Sequence, residues 1–182
     1  MSRQWFTWAN LLTLIRVATL APLIYTILNA MWYWAAGLFA VAVITDFYDG
    51  KVARRLQQTS PMGGLFDHAT DAAFVTLGCW SLAKLGLVNA WLPWLIPAAF
   101  VQYMLDSKAL SGVALRMSAI GRTNGVAYYV LLGTAIGAEV LGWQWLRTPI
   151  AWFAWALVAS TLVSMLDRAV SLIQQTRKNS RT

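Results

Sequence analysis

Apolar residues form six long runs along the chain, and short polar or basic connections separate them. The runs cover residues 9–29, 31–47, 65–87, 90–110, 126–146 and 150–173. Each run approaches the ~20 residues that an α-helix needs to cross the hydrocarbon core of a bilayer. The pattern therefore predicts an all-α, polytopic membrane protein with six transmembrane helices and a short N-terminal interfacial segment.

The composition excludes several other classes of protein. Of the 182 residues, 59% are hydrophobic and 12% are charged, whereas ordinary globular chains carry about 25% charged residues. A globular cytosolic enzyme and a disordered protein are therefore excluded. A disulfide scaffold is excluded too, because Cys79 is the only cysteine. Six helices leave little chain for a separate soluble domain, so we expect one domain over residues 1–182.

Basic residues predict the orientation in the membrane. Of the 14 Lys and Arg residues, eleven fall at the termini and connections of one side, and only Lys84 and Arg147 fall on the other. The remaining one, Arg16, lies inside the first run. The positive-inside rule then places both termini in the cytoplasm. Because the bases flank the spans, the net charge of +7 indicates contact with anionic lipid headgroups, not with nucleic acid.

Four of the seven carboxylates lie within 26 residues, where the second run ends and the third begins. They are Asp46, Asp49, Asp67 and Asp71. The spacing places each pair on one helical face, and the short connection 57–62 brings the two faces together near the cytoplasmic boundary. Carboxylates at that depth repel each other unless cations intervene. Oxygen ligands suit Mg²⁺, Mn²⁺ or Ca²⁺, and two such ions are typical of phosphoryl chemistry.

Small residues and an arginine share the faces of these carboxylates. Gly50 and Gly63 leave room for a ligand to approach the backbone closely. Arg54, one turn beyond Asp49, can pair with a phosphate through its planar guanidinium. A solvated helix end, in which each Asp pairs with a following base, is the alternative. It explains any single Asp but not the combined array.

The array has the form Asp46-x-x-Asp49-Gly50-x-x-Ala53-Arg54, eight residues, Gly63-x-x-x-Asp67-x-x-x-Asp71. It resembles the signature of the CDP-alcohol phosphatidyltransferases at every position and spacing, although this signature covers only residues 46–71. The resemblance implies transfer of a phosphatidyl group from CDP-diacylglycerol to an alcohol, with release of CMP. It also implies a homodimer in the inner membrane, with the active site at the cytoplasmic side.

The resemblance assigns roles to individual residues. Asp46, Asp49 and Asp67 are expected to bind metal, as part of a two-metal site for Mg²⁺ or Mn²⁺. Asp71 is expected to contact the second metal and to act as the base that deprotonates the acceptor hydroxyl. The residues expected to line the cytidine diphosphate site are Asp49, Gly50, Ala53, Arg54, Thr59, Ser60 and Gly63.

Two segments indicate glycerol 3-phosphate as the acceptor. Residues 10–16 are similar to the first-helix pattern of bacterial phosphatidylglycerophosphate synthases, and residues 118–123 resemble their Ser/Thr-x-x-Gly-Lys element. Arg116 and Arg122 are predicted to bind an anionic acceptor, or else they only obey the positive-inside rule. The sequence around His68 departs from these synthases. Serine, inositol phosphate, a phosphatidyl lipid and an uncommon alcohol therefore remain alternative acceptors.

Four other polar residues have open roles. Arg16 is predicted to pair with a phosphate or a carboxylate inside the bundle. His68 is either an interfacial residue or a support for a neighbouring metal ligand. Asp106 either faces the cavity or pairs with a nearby base such as Lys108, and Arg168 is interpreted as ordinary charge at a helix end.

A small divalent-cation transporter is the competing hypothesis from another class, because acidic clusters inside membranes often mark ion pathways. It explains the carboxylates but not the spacing of the glycines and the arginine around them. The chain also lacks the internal repeats that are typical of transporters. A non-enzymatic scaffold explains still less of the array.

Overall fold

The computed structural model describes residues 8–55, 61–106 and 119–179, and the side chains of residues 14–48, 64–105 and 120–171. The described residues form six α-helices and no strand. In chain order these are α1 (Trp8–Leu28), α2 (Trp32–Arg55), α3 (Pro61–Lys84), α4 (Leu92–Asp106), α5 (Ala119–Val140) and α6 (Arg147–Asn179). A short 3₁₀ turn, Gln144–Leu146, precedes α6. The predicted all-α, six-helix architecture is confirmed.

The described helices pack into one bundle, in which α3 contacts α1, α4 and α5. Helix α1 contacts α2 and α3, helix α3 also packs against α4, and α5 contacts α2, α3 and α6. Fully buried apolar side chains fill the region between α3 and α5, including Phe74, Leu131 and Leu132. A Cβ atom added at Gly78 would lie 2.6 Å from Leu132 Cδ2, so the glycine allows α3 and α5 to approach closely. The single domain over residues 1–182 stays a prediction.

The outer surface of the bundle is apolar. Large hydrophobic side chains such as Trp34, Val126 and Trp152 are mostly exposed, and a surface of this kind requires an apolar environment. Among residues with described side chains, Gln144–Ser171 is the one helical stretch long and apolar enough to cross a membrane by itself. Shorter apolar helical stretches are Leu14–Leu28, Trp32–Tyr48 and Leu92–Leu105.

The prediction of the fifth span was wrong at both ends. Helix α5 begins at Ala119 and ends at Val140, whereas the apolar run covers residues 126–146. Polar residues in the first turns of α5 interrupt the run but belong to the helix, and one of them, Asn124, is buried in the bundle. After α5 the chain turns at Gly142, whose φ of +67° is a conformation that favours glycine.

Candidate active site

A buried arginine joins three of the predicted carboxylates. Arg16 on α1 is 0% exposed. Its Nη2 lies 2.8 Å from Asp46 Oδ1 on α2, and its Nη1 lies 3.1 Å from Asp67 Oδ1 on α3. The same Nη1 donates to Asp71 Oδ1. One guanidinium therefore connects α1, α2 and α3 and partly neutralises the three acids, so the predicted pairing of Arg16 with a carboxylate is confirmed.

The local sequence explains how this cluster forms. Asp67 and Asp71 are four residues apart on α3, so both side chains leave the helix on the same side. Arg16 occupies the apolar helix α1, where an ionisable side chain has to face the interior and find a partner. The Thr19 hydroxyl, one turn further along α1, donates to the backbone carbonyl oxygen of Arg16 over 2.7 Å.

A tyrosine that the sequence did not indicate also contacts the cluster. The Tyr129 hydroxyl on α5 donates to Asp71 Oδ1 over 3.0 Å. Its ring stacks on Phe74, with 5.8 Å between the centroids and 13° between the planes. Tyr129 lies in an uninterrupted apolar run with a second tyrosine beside it, and no spacing in the sequence links it to Asp71. A possible signal was that a carboxylate in a membrane helix needs polar partners.

The residues Asp67, His68 and Asp71 form a group that can hold a metal ion. One ligand atom of each residue lies within 4.8 Å of the ligand atoms of the other two. His68 Nδ1 is also 3.9 Å from Asp67 Oδ2. The sequence pointed to an all-oxygen ligand set, and the structure adds His68 to the candidates because one of its ring nitrogens lies near carboxylate oxygens of both acids.

A cavity of about 280 Å³ opens beside the cluster, between helices α2 to α6. Its volume lies near the lower end of the roughly 300–1,000 Å³ that is typical of small-ligand sites. One wall is acidic and contains Asp46 and Asp71 together with His68. The polar residues on the other walls are Gln102, Tyr103, Arg122, Asn124, Tyr128, Tyr129, Thr161, Ser164 and Arg168. The cavity therefore brings carboxylates and guanidinium groups around one small volume.

Polar contacts of α6 hold the walls in place. The guanidinium of Arg168 lies 4.8 Å from the centre of the Tyr103 ring on α4. Gln102 Nε2 donates to the backbone oxygen of Met165 over 2.9 Å, which links α4 to α6. The interpretation of Arg168 as charge at a helix end was wrong, because α6 continues to Asn179 and Arg168 lines the cavity.

The other predicted site residues differ in how much of each the structure describes. Arg122 lies on α5, is exposed and lines the cavity. Five others lie on described helices without described side chains, namely Asp49, Gly50, Ala53, Arg54 and Gly63. Three lie outside the described residues, namely Thr59, Ser60 and Arg116. Asp106 ends α4, and its side chain is not described.

The fold and the acidic site define a class of enzyme. Residues 6–168 match the family model of the CDP-alcohol phosphatidyltransferases, and the chain belongs to this family. It is therefore an enzyme of that class, a membrane-embedded transferase of phospholipid biosynthesis. The family acts on CDP-alcohol substrates such as CDP-diacylglycerol, together with an alcohol acceptor.

Named relatives cover most of the chain. The CDP-diacylglycerol–glycerol-3-phosphate 3-phosphatidyltransferase of Salmonella choleraesuis (strain SC-B67) is 25% identical over 174 residues, which span 93% of this chain and 92% of the relative. A Pseudomonas fluorescens protein of the same name is 33% identical over 120 residues, 63% of this chain and 57% of that protein. A Mycobacterium tuberculosis (strain ATCC 25618 / H37Rv) protein, provisionally named cardiolipin synthase, is 29% identical over 165 residues, 82% of this chain and 78% of that protein.

Proposed function

We propose that the protein transfers a phosphatidyl group from CDP-diacylglycerol to glycerol 3-phosphate and releases CMP. The observation that carries this proposal is the cavity with Asp46 and Asp71 on one wall and Arg122 and Arg168 on others. The reaction would take place at the cytoplasmic side of the inner membrane, where the positive-inside rule also places both termini. The relatives named for glycerol 3-phosphate support the choice of acceptor.

The acidic cluster is the proposed metal site. Asp46, Asp49, Asp67 and Asp71 would hold two divalent cations, Mg²⁺ or Mn²⁺, because carboxylate oxygens are the ligands that these ions prefer. The closeness of ligand atoms on Asp67 and Asp71 supports this assignment. When bound, such ions neutralise the negative charge of the pyrophosphate and of the leaving CMP.

The CDP-binding role follows from the signature. The residues proposed to line the cytidine diphosphate are Asp49, Gly50, Ala53, Arg54, Thr59, Ser60 and Gly63. Six of them belong to the end of α2 or to the connection before α3, next to the acids. A pyrophosphate bound there would lie beside both the metal site and the cavity, so its phosphorus atom would face an acceptor in the cavity.

Asp71 is the proposed general base. The acceptor hydroxyl gives its proton to the Asp71 carboxylate while its oxygen forms a bond to the phosphorus of the phosphatidyl group. The bond between that phosphorus and the CMP oxygen breaks, and CMP leaves with the electron pair. This role is supported by the position of Asp71 in the cavity lining, because proton transfer requires a base within ~2.6–3.2 Å of the hydroxyl.

The guanidinium groups make an anionic acceptor feasible. An acidic wall alone would repel a phosphate, and positive charge on neighbouring walls offsets this repulsion. Arg122 and Arg168 line the cavity, and Arg116, on the connection before α5, is proposed to assist. Arg–phosphate contacts are frequently bidentate. Each such hydrogen bond to a charged group contributes about 1.5–3 kcal/mol.

Acceptor specificity is the direct test. Purified protein with labelled CDP-diacylglycerol and Mg²⁺ is offered glycerol 3-phosphate, serine, inositol phosphate and phosphatidylglycerol in parallel. We expect product with glycerol 3-phosphate, and a KM for this acceptor that rises about 10-fold or more in Arg122→Ala, in line with the loss of ~1.5 kcal/mol. Product with another acceptor but none with glycerol 3-phosphate would refute the assignment.

A matched control is available on the opposite side of the membrane. Arg147→Ala also removes a guanidinium, but Arg147 pairs with Glu139 over 3.0 Å and does not line the cavity. Its KM for glycerol 3-phosphate should equal that of the wild type. The relative provisionally named cardiolipin synthase makes a phosphatidyl lipid the second candidate acceptor, and the same panel tests it.

A further inference from the structure

One oxygen of Asp71 is held by donors from two other helices. The Tyr129 hydroxyl on α5 donates to Asp71 Oδ1 over 3.0 Å, and Arg16 Nη1 on α1 donates to the same atom. Both hydrogen bonds that the described residues make to this carboxylate therefore use Oδ1. Because Asp71 also lines the cavity, Oδ2 is the oxygen that is left to act on a molecule bound there.

The ring of Tyr129 is fixed independently of this hydrogen bond. It stacks on Phe74, which is 0% exposed, and the Phe39 ring packs beside it at a centroid distance of 6.4 Å. Aromatic pairs of this kind contribute about 0.5–1.5 kcal/mol each beyond the burial of their area. Packing of α2 and α3 against α5 therefore sets the position of the hydroxyl.

A glycine on α5 makes room for this arrangement. Gly133 lies one turn after Tyr129, and a Cβ atom added there would lie 2.8 Å from Phe39 Cε1. Real Cβ atoms do not approach a neighbour so closely, so an alanine would push the Phe39 ring away. The absence of a side chain at position 133 lets Phe39 lie beside Tyr129 and limit the movement of its ring.

We propose that Tyr129 is a positioning residue for phosphatidyl transfer, one that holds Asp71 Oδ1 so that Oδ2 is presented to the acceptor hydroxyl. The proposal rests on the proposed function, in which Asp71 takes the proton of that hydroxyl. Without the Tyr129 hydroxyl, Arg16 alone would hold Oδ1, and the carboxyl group could turn about this single contact. A displacement of ~1 Å at a reacting group can reduce the rate about 100-fold.

The position of the hydroxyl predicts which kinetic constant changes. Tyr129 lies on α5, whereas the CDP site is proposed at the end of α2 and the start of α3. Removal of its hydroxyl should therefore lower kcat and leave the KM for CDP-diacylglycerol unchanged. A tyrosine that only stabilised the bundle would change the unfolding temperature without this division between kcat and KM.

The test uses the full-length protein with Tyr129→Phe, which removes the hydroxyl and keeps the ring and its packing. We expect kcat to fall at least 10-fold, while the KM for CDP-diacylglycerol stays within threefold of the wild-type value. The rise in unfolding temperature on addition of Mg²⁺, measured without substrates, should match that of the wild type. Tyr25→Phe is the control, because this tyrosine is 62% exposed on the outer surface, and its kinetic constants should not change.

Two results would overturn the proposal. A kcat of Tyr129→Phe within 10-fold of the wild type would show that Asp71 does not need this donor. A parallel loss of kcat and of the Mg²⁺ effect would show that the hydroxyl supports the whole acidic cluster and not the orientation of Asp71.

Wild-type protein that releases no CMP with any acceptor would refute the proposed function itself, and the inference would fall with it.

Discussion

Replacement of Arg16 by glutamine should destabilise the metal-free protein more than any change on the surface. The wild-type guanidinium is 0% exposed and contacts Asp46, Asp67 and Asp71. Removal of one partner from a buried ion pair costs about 3–5 kcal/mol, because a charge is left uncompensated. The three carboxylate side chains are 38%, 29% and 27% exposed, so water screens part of their repulsion. We therefore expect a loss near the lower limit, about 3 kcal/mol.

This loss corresponds to a measurable shift in the unfolding temperature. For a chain of this size, 1 kcal/mol is equivalent to ~2–4 °C, so Arg16→Gln should unfold about 6–12 °C below the wild type in chelator. The assay is thermal unfolding of the purified protein in detergent, followed by tryptophan fluorescence. The 11 tryptophans of the chain provide the signal.

Divalent metal should reduce the difference in unfolding temperature between Arg16→Gln and the wild type. Metal ions would bind the carboxylates that Arg16 neutralises, so Mg²⁺ should raise the unfolding temperature of Arg16→Gln more than that of the wild type. The matched control is Arg147→Gln, which breaks an exposed pair with Glu139. It should cost less than ~1 kcal/mol, with no dependence on metal. An Arg16→Gln variant as stable as the wild type in chelator, or insensitive to Mg²⁺, would refute the reasoning.

Three further predictions follow from the proposed site. Chelation should abolish CMP release, and Mg²⁺ or Mn²⁺ but not K⁺ should restore it; turnover in excess chelator would contradict the two-metal site. Asp71→Asn should keep most of the affinity for CDP-diacylglycerol and lose turnover, because it removes the proposed base and leaves the other proposed metal ligands, whereas Asp49→Asn should also weaken nucleotide binding. Equal affinities and rates in the two variants would contradict this division of roles. Crosslinking in native membranes should give a homodimer, and a purely monomeric product would count against it.

The sequence predicted the parts of the molecule that depend on local periodicity. Six apolar runs indicated six helices, and the spacing of Asp67 and Asp71 placed both carboxylates on one face of α3, where the structure has them. The polar first turns of α5 led to a predicted start near residue 126, because polarity alone does not distinguish a connection from a helix that lines a cavity. Asn124 is 5% exposed and accepts a hydrogen bond of 2.7 Å from Ser160.

The partners of the acids depend on packing between distant helices. Tyr129 reaches Asp71 across 58 residues of chain, between the same two helices, α3 and α5, that approach closely at Gly78. The sequence identified Arg16 as an interior charge but did not indicate that it would contact three acids at once. Such contacts result from how far each helix is rotated in the bundle, and a single sequence carries little information about this rotation.

The distribution of charge around the cavity leads to one further conclusion about the reaction. Asp71 is held through Oδ1 at the acidic wall, while Arg122 and Arg168 lie on walls formed by α5 and α6. An acceptor with a hydroxyl at one end and a phosphate at the other would be oriented by both walls, with its hydroxyl toward the base. A neutral alcohol would lack the second anchor and lose much of this orientation. If glycerol 3-phosphate is the acceptor, as proposed, the charges that attract it would therefore also favour its reactive orientation, so Arg122→Ala should lower kcat for this acceptor as well as raise its KM.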